Sequence, residues 1–464
     1  MWRYFFSKSK SGAVLLISDL IGFMLIFGFV HQQREGHWID LTSIPLISVM
    51  TVTVIVMYIF DVYRTDTESL NLALPLRAVA AVALSGGIIA AVVYLLPGQS
   101  HAASRDSVLW RGVLFFGLFI FAIWASVSRV LLSSFVQRLQ KDLRWLILGT
   151  GEYAYHIWCD FKNVQPRDKL QFFRINPLEN RIDGEHTGSH VLEDIDSLDE
   201  CLSRTWSGVV LATDRPLEEG LLRKLMGARL RGIRIYDLVD FYDKFLFKIP
   251  VFYLKDVWFV LSQGFDLLHH NMQLRIKRVM DFVLAGILLV VCMPLMIVIA
   301  ILIRIDGPGP IIYSQMRTGA SKKQFRVHKF RTMVKDAERN GAQWTAHNDS
   351  RITKVGRVLR TMRIDELPQM WNVLKGEMSF IGPRPERPDF NKDFAQKIPY
   401  YDLRHLVKPG ITGWAQIQYP YGASLEDAKQ KLEYDLYYIK NYSVFLDIAI
   451  AIKTMRLMLF RRGR

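Results

Sequence analysis

The chain has 464 residues, half of them hydrophobic, with a formal net charge of +15 and three cysteines. Its length allows two or three domains, and its mean hydropathy of +0.14 argues against a fully water-soluble protein. Cys159, Cys201 and Cys292 form no CxxC pair, which argues against a disulfide framework or a structural zinc site and fits a reducing cytoplasm.

In chain order, residues 12–30, 44–60, 78–96 and 112–128 are apolar runs close to the length that crosses a bilayer. They predict four membrane spans. A cleaved signal peptide is a poor account of the first run, because three more follow and no small-residue cleavage site stands out. Arg3, Lys8 and Lys10 precede the first run, Arg64 and Arg77 separate the second and third, and Arg129, Arg138, Lys141 and Arg144 follow the fourth. The other loops carry only Arg34, Arg105 and Arg111. The positive-inside rule then places the N-terminus, and everything just past residue 135, in the cytoplasm. Asp19 inside the first run has two readings: a pairing partner within the bundle, or a tolerated polar residue near the interface.

Residues 144–154, R-W-L-I-L-G-T-G-E-Y-A, read as a short strand, a G-x-G-x-x-A turn and a helix start. Further strands are predicted at 170–175, 207–212 and 232–236, which makes this a Rossmann-like α/β module. The second strand ends at Arg174, Ile175, Asn176 and Pro177, with no acid to hold a ribose, so a nicotinamide-type site is poorly supported. The alternative is a module used for packing, assembly or sensing. Asp194-Ile195-Asp196 has the form of a metal-binding D-x-D but lies in an acidic run better read as a solvated helix start.

Residues 282–303 form a fifth apolar run with Pro294 in its middle. Arg275, Lys277 and Arg278 flank it on one side and Arg304 on the other, so both ends score as cytoplasmic. A helix-break-helix that enters one leaflet and returns satisfies both facts; a plain kinked span is the alternative. Residues 304–464 hold 29 Lys/Arg against 16 Asp/Glu. A domain this basic on a membrane protein points to anionic lipid heads, a phosphorylated substrate, or both. Nucleic acid is disfavoured, because no recognition motif accompanies the charge. Residues 432–460 mix Tyr434, Tyr437, Tyr438, Tyr442, Phe445 and Leu446 with Lys440, Lys453 and Arg456, the composition of a helix lying in the membrane interface. An amphipathic core helix is the other reading.

Asp365 and Glu366 lie among Arg357, Arg360, Arg363, Arg384 and Arg387. Such a setting suits a carboxylate that attacks a phosphate or holds a metal, with the cations holding the substrate's charge. The plainer reading is a helix start, with Asp365 as N-cap, Glu366 and Pro368 in the first turn and Gly376 as the stop.

From about Lys277 to Phe460 the motifs follow in a fixed order. They are K-R-V-M-D at 277–281, the proline-broken run, G-P-G-P-I-I-Y-S-Q-M-R-T-G at 307–319, F-R-V-H-K-F-R-T-M at 325–333, R-I-D-E-L-P-Q at 363–369, N-V-L-K-G-E-M-S-F-I-G-P-R-P-E at 372–386 and K-P-G-I-T-G-W-A-Q at 408–416. This stretch resembles the bacterial sugar transferases, monotopic polyprenyl-phosphate phosphoglycosyl transferases. W-T-A-H-N-D at 344–349 and Y-P-Y-G-A-S-L-E-D-A at 419–428 are most similar to the exopolysaccharide subgroup.

The resemblance implies a fold class of three parts: a membrane α-helical bundle of four spans (1–137), an α/β Rossmann-like cytoplasmic domain (138–270), and a mainly α monotopic catalytic domain (271–464) with a re-entrant hairpin at 279–304. It implies an enzyme of the bacterial inner membrane that passes a sugar-1-phosphate from a UDP-sugar, glucose favoured, to undecaprenyl phosphate and releases UMP. In that scheme Asp365 is the nucleophile and Glu366 the neighbouring acid, both at magnesium (Mg2+). Lys329, Arg331, Arg360 and Arg384 contact substrate, and Pro294 breaks the re-entrant helix. Membrane lipids are implied as surroundings, and the layout is compatible with a homodimer.

Overall fold

In the computed structural model the apolar runs of the first third are helices, the form in which a backbone satisfies its own hydrogen bonds without water. They are α1 (Lys10–Glu35), α2 (Ile44–Ile59), α3 (Ala73–Leu95) and α4 (Arg111–Leu139). The structure describes residues 10–60, 62–63, 73–95, 111–139, 144–164, 169–175, 191–192, 198–213, 215–262, 264–265, 271–334, 337, 349–419, 422 and 424–460. The D-x-D acids, residues 344–348 and part of 419–428 lie outside that set. The chain divides into two units, Met1–Lys141 and Asp142–Arg464.

In the first unit α1 packs on α4, α4 on α3, and α3 on α2. Phe23, Phe27, Val49, Met57, Leu114 and Phe121 fill the centre. Helices α1, α3 and α4 are long and apolar enough to cross a membrane, but α2 is 16 residues, roughly 24 Å of rise. It is the shortest of the four predicted spans. Asp19 is a pairing partner: Arg129 Nη1 and Nη2 each lie 2.6 Å from one of its carboxylate oxygens, with both side chains sealed from solvent. Arg129 is therefore not a loop cation, as its position after the apolar run suggested; α4 continues past it to Leu139.

The second unit begins with a five-stranded parallel sheet in the order β3-β2-β1-β4-β5. Its strands are β1 (Arg144–Leu148), β2 (Lys169–Phe173), β3 (Val191–Leu192), β4 (Gly208–Leu211) and β5 (Ile235–Tyr236). Trp145 and Ile147 of β1 face one core, with Ala154, Ile157 and Phe161 of the helix Glu152–Val164. Leu146 and Leu148 face the other, with Cys201, Leu202, Leu225 and Ala228. Burial on both faces explains the unbroken apolar run of this strand. Gly149, at φ +124°, follows β1; a Cβ there would overlap the carbonyl of Ala212, so close packing accounts for this glycine.

Segment 238–265 fastens the sheet to the rest of the unit. Lys248 Nζ lies 2.9 Å from Asp160 and 3.0 Å from Glu433, and Trp414 Nε1 donates to Phe247 O at 2.9 Å. Lys440 Nζ meets Asp243 at 2.6 Å.

The remainder comprises α5 (Asn271–Asp306), the hairpin β6 (Ile312–Thr318) and β7 (Gln324–Phe330), α6 (Lys354–Thr361), a 3₁₀ helix (Ile364–Gln369), α7 (Met370–Lys375), the parallel pair β8 (Ser379–Ile381) and β9 (Gly410–Thr412), α8 (Leu425–Lys440) and α9 (Val444–Phe460). Helix α5 has 36 residues and contains Pro294. The sequence predicts two helices parted by a break; here one continuous helix carries the proline. Residues on both sides of Pro294 grip the same body. Arg278 donates to Val373 O and, at 2.7 Å, to Leu374 O, and Asp281 accepts from Phe380 N at 3.1 Å. Beyond the proline, Ile299 and Ile303 pack on Phe330 and Leu359. Between these grips Ile287, Val290, Val291 and Met293 are exposed.

The C-terminal stretch does not form one interfacial helix. In α8, Leu436, Tyr438 and Ile439 are core residues, and Ser424 and Asp427 close a capping box at its start. Only α9, after a break at 441–443, exposes an apolar series that includes Phe445, Ile448, Met455 and Met458.

Candidate active site

Asp365 does not cap a helix. Arg363, in the left-handed region at φ 54°, precedes the 3₁₀ helix, and Asp365 and Glu366 lie buried inside its first turn. The α-helix proper starts only at Met370, and Gly376 ends it at φ +85°, as the sequence predicts.

Strand β7 runs alongside this turn and brings Lys329 to it. Lys329 Nζ donates to Glu366 Oε1 at 2.7 Å, and Arg384 Nη2 donates to the same oxygen at 3.1 Å. Arg384 Nη1 reaches Gln416 Oε1 at 3.3 Å. Arg360, on α6, donates through Nε to Thr332 Oγ1 at 3.0 Å. Helix α6 can approach the Thr332 backbone because residue 356 is glycine; a Cβ there would overlap the Thr332 carbonyl.

The two acids are treated differently. Burial pushes Asp365 above the usual aspartate range, partly offset by Lys329, Arg360 and Arg384. Glu366 is also penalised by burial, but Lys329 and Arg384 outweigh this and hold it well below the usual glutamate range. Lys329 is itself lowered by burial, with Glu366 opposing. Among the described residues nothing donates a hydrogen bond to the Asp365 carboxylate, whereas Glu366 is clamped by two cations. A more basic, undirected carboxylate is the better nucleophile; a clamped one is the better fixed charge.

The structure thus brings Lys329, Glu366, Asp365 and Arg384 together, with Arg360 contributing to the field at Asp365. Arg331 is placed otherwise. Its Nη1 donates to Pro308 O at 2.8 Å, and its Nη2 to Ile303 O at 2.9 Å and Gly307 O at 2.6 Å. It ties the carbonyl end of α5 to the strand carrying Lys329, a cation at a helix C-terminus. Arg357 is exposed on α6, and Arg387 precedes the helix Pro388–Lys397 with its guanidinium over Phe390. Sequence reading gave no role to Thr332 and Gln416, although both stand in motifs that it singled out.

The donor set suits magnesium. That ion takes one or two carboxylates and fills its sphere with water and phosphate oxygens. Asp365 and Glu366, adjacent in the first turn of the 3₁₀ helix, offer it two carboxylates.

Residues 272–461 match the family model described as bacterial sugar transferase. The chain is 43% identical over 248 residues to a UDP-N-acetylgalactosamine-undecaprenyl-phosphate N-acetylgalactosaminephosphotransferase of Aeromonas hydrophila, covering 50% of this chain and 59% of that protein. It is 30% identical over 465 residues to a UDP-glucose:undecaprenyl-phosphate glucose-1-phosphate transferase of Xanthomonas campestris pv. campestris, covering 95% of this chain and 90% of the relative. A protein of the same description from Escherichia coli (strain K12) is 45% identical over 183 residues, 39% of each chain.

Proposed function

The chain belongs to the bacterial sugar transferase family, and on that premise we propose that it passes a sugar-1-phosphate from a UDP-sugar to undecaprenyl phosphate, the first membrane step of an exopolysaccharide. The observation that carries the chemistry is the contrast at 365–366: an undirected, buried Asp365 beside a Glu366 fixed by Lys329 and Arg384. An Asp365 oxygen attacks the sugar-bearing phosphorus. The bond to the bridging oxygen breaks, UMP leaves with that oxygen, and a sugar-phosphoryl aspartate remains. A phosphate oxygen of undecaprenyl phosphate then attacks the same phosphorus, the acyl–phosphate bond breaks, and Asp365 returns as carboxylate. Covalent capture lets a soluble donor and a lipid acceptor use one site in turn.

Lys329, Arg360 and Arg384 offset the repulsion between a diphosphate and an attacking carboxylate. Asp365 and Glu366 would hold magnesium, which when bound supplies further charge neutralisation on the diphosphate. Glucose is the favoured sugar: the relative aligned along 95% of this chain is described as acting on UDP-glucose.

Helix α5 re-enters rather than crosses in this reading. From Asp281 to Asp306 a straight helix would rise roughly 37 Å, enough to pass the hydrocarbon. Asp281 and Arg278 on one side of Pro294, and Ile299 and Ile303 on the other, nevertheless hold the same catalytic body. That supports both ends on one face, the exposed apolar middle dipping into the leaflet. The sheet, with its two covered faces and order β3-β2-β1-β4-β5, supports a Rossmann-like cytoplasmic module. The positive-inside rule puts that module and the active site on the cytoplasmic face of the inner membrane.

The test uses full-length protein in detergent with UDP-glucose, magnesium and undecaprenyl phosphate. UMP release is expected from the wild type and not from Asp365→Asn. Undiminished release by that variant would remove the nucleophile from this scheme.

A further inference from the structure

Asn372 is fully buried on α7, six residues beyond Glu366, and its side chain acts on a neighbouring strand. Its Nδ2 donates to Arg326 O at 2.7 Å, and its Oδ1 accepts from His328 N at 3.3 Å. These are alternate positions on the edge of β7 away from β6, so the amide makes the two bonds that one residue of an adjacent parallel strand would make through its N–H and C=O. Its second Nδ2 hydrogen goes to Glu377 Oε2 at 2.7 Å. Turning the amide over would set Nδ2 against an N–H and Oδ1 against a carbonyl and a carboxylate, so the three neighbours fix one orientation.

The next residue on β7 is Lys329, whose ammonium reaches Glu366. Two ties therefore join β7 to the continuous stretch formed by the 3₁₀ helix and α7: Lys329 to Glu366 on the former, and Asn372 on the latter to Arg326 and His328. The first is a single flexible side chain on an ammonium; the second is a planar amide with both polar atoms engaged. We propose that Asn372 is a positioning residue for the transfer reaction, setting the register of β7 against the Asp365–Glu366 turn so that Lys329 meets Glu366. This rests on the sugar-phosphate transfer reading above.

The experiment is steady-state UMP release by the full chain, comparing wild type, Asn372→Ala, Lys329→Ala and the double variant. Asn372→Ala is expected to lower kcat about 10- to 100-fold, as loss of an outer-shell partner does, with KM for UDP-glucose near the wild-type value. In the Lys329→Ala background the same change is expected to cost less than about threefold, because coupled residues do not add. Glu377→Leu removes one anchor of the amide while leaving Asn372 in place. It is expected to give a smaller kcat loss that also fades in the Lys329→Ala background, and it carries the test if Asn372→Ala does not fold. Wild-type kcat in Asn372→Ala, or losses that multiply in full with Lys329→Ala, would overturn the assignment while leaving the transfer reading intact. A wild-type chain that releases no UMP would overturn both.

Discussion

Lys329 Nζ and Glu366 Oε1 meet at 2.7 Å across 37 residues of sequence, and Arg384 joins them on the same oxygen. One carboxylate oxygen thus collects two cations while the neighbouring Asp365 collects none directly. Removing Lys329 should therefore weaken transition-state stabilisation more than ground-state binding. Lys329→Ala is expected to lower kcat roughly 10²- to 10³-fold. A rise in KM with unchanged kcat in the UMP assay would instead make Lys329 a simple binding group.

Arg384 bridges Glu366 and Gln416 with two different nitrogens. A lysine keeps the charge but has no planar fork to span both acceptors. Arg384→Lys is expected to retain some activity and to lose about 10-fold or more in kcat/KM, the scale of one charged hydrogen bond. Wild-type kcat/KM in that variant would mean that charge alone suffices.

Lys248 sits between Asp160 on the helix after β1 and Glu433 on α8, and is almost wholly buried. Despite the burial, both acids hold its ammonium in the charged form. Lys248→Met leaves two acids facing each other without a cation. Breaking a buried pair from one side costs about 3–5 kcal/mol. A clear drop in the thermal unfolding midpoint in detergent is expected, and an unchanged midpoint would show the ion cluster to be dispensable.

His405 is buried against Tyr401. Burial, with Arg404 adding to it, lowers its pKa to about 4. Since the unfolded chain takes up this proton near pH 6.5, the folded state has its full stability above that value and loses it as pH falls toward 4. By pH 5 the loss is on the order of 2 kcal/mol. Unfolding midpoints at pH 7.5 and pH 5 should differ less in His405→Gln than in the wild type. Equal differences would assign the acid sensitivity elsewhere.

Ser350 is exposed beside Asp349, on the segment between β7 and α6. In a chain whose Cys159, Cys201 and Cys292 are replaced by alanine, Ser350→Cys is expected to react with an impermeant maleimide only in inside-out vesicles. Reaction in right-side-out vesicles alone would mean that α5 crosses the membrane.

Much of this arrangement follows from local pattern. The apolar runs, β1 with its glycine turn, the stop at Gly376 and the exposed middle of α5 are set by neighbours in sequence, and they read directly. What did not read are pairings across long separations. Asp19 and Arg129 are 110 residues apart, and Arg129 looked like a flanking charge. Gln416 and Arg384 are 32 apart, and nothing near either marks the other. Arg331 resembled a substrate cation because its motif is basic, yet its donors close the end of a helix. Tyr438 and Ile439 sit within an aromatic run that suits a membrane surface equally well; packing of α8 decided between the two.

The Asp19–Arg129 pair also sets a timetable. The ribosome makes the aspartate 110 residues before the arginine, an interval of about 5–20 s at 5–20 residues per second. Throughout that interval a nascent α1 carries an acid that ends up fully paired only when α4 arrives. The first helix thus has reason to linger at the insertion machinery, and Asp19→Leu should let it leave for the lipid early.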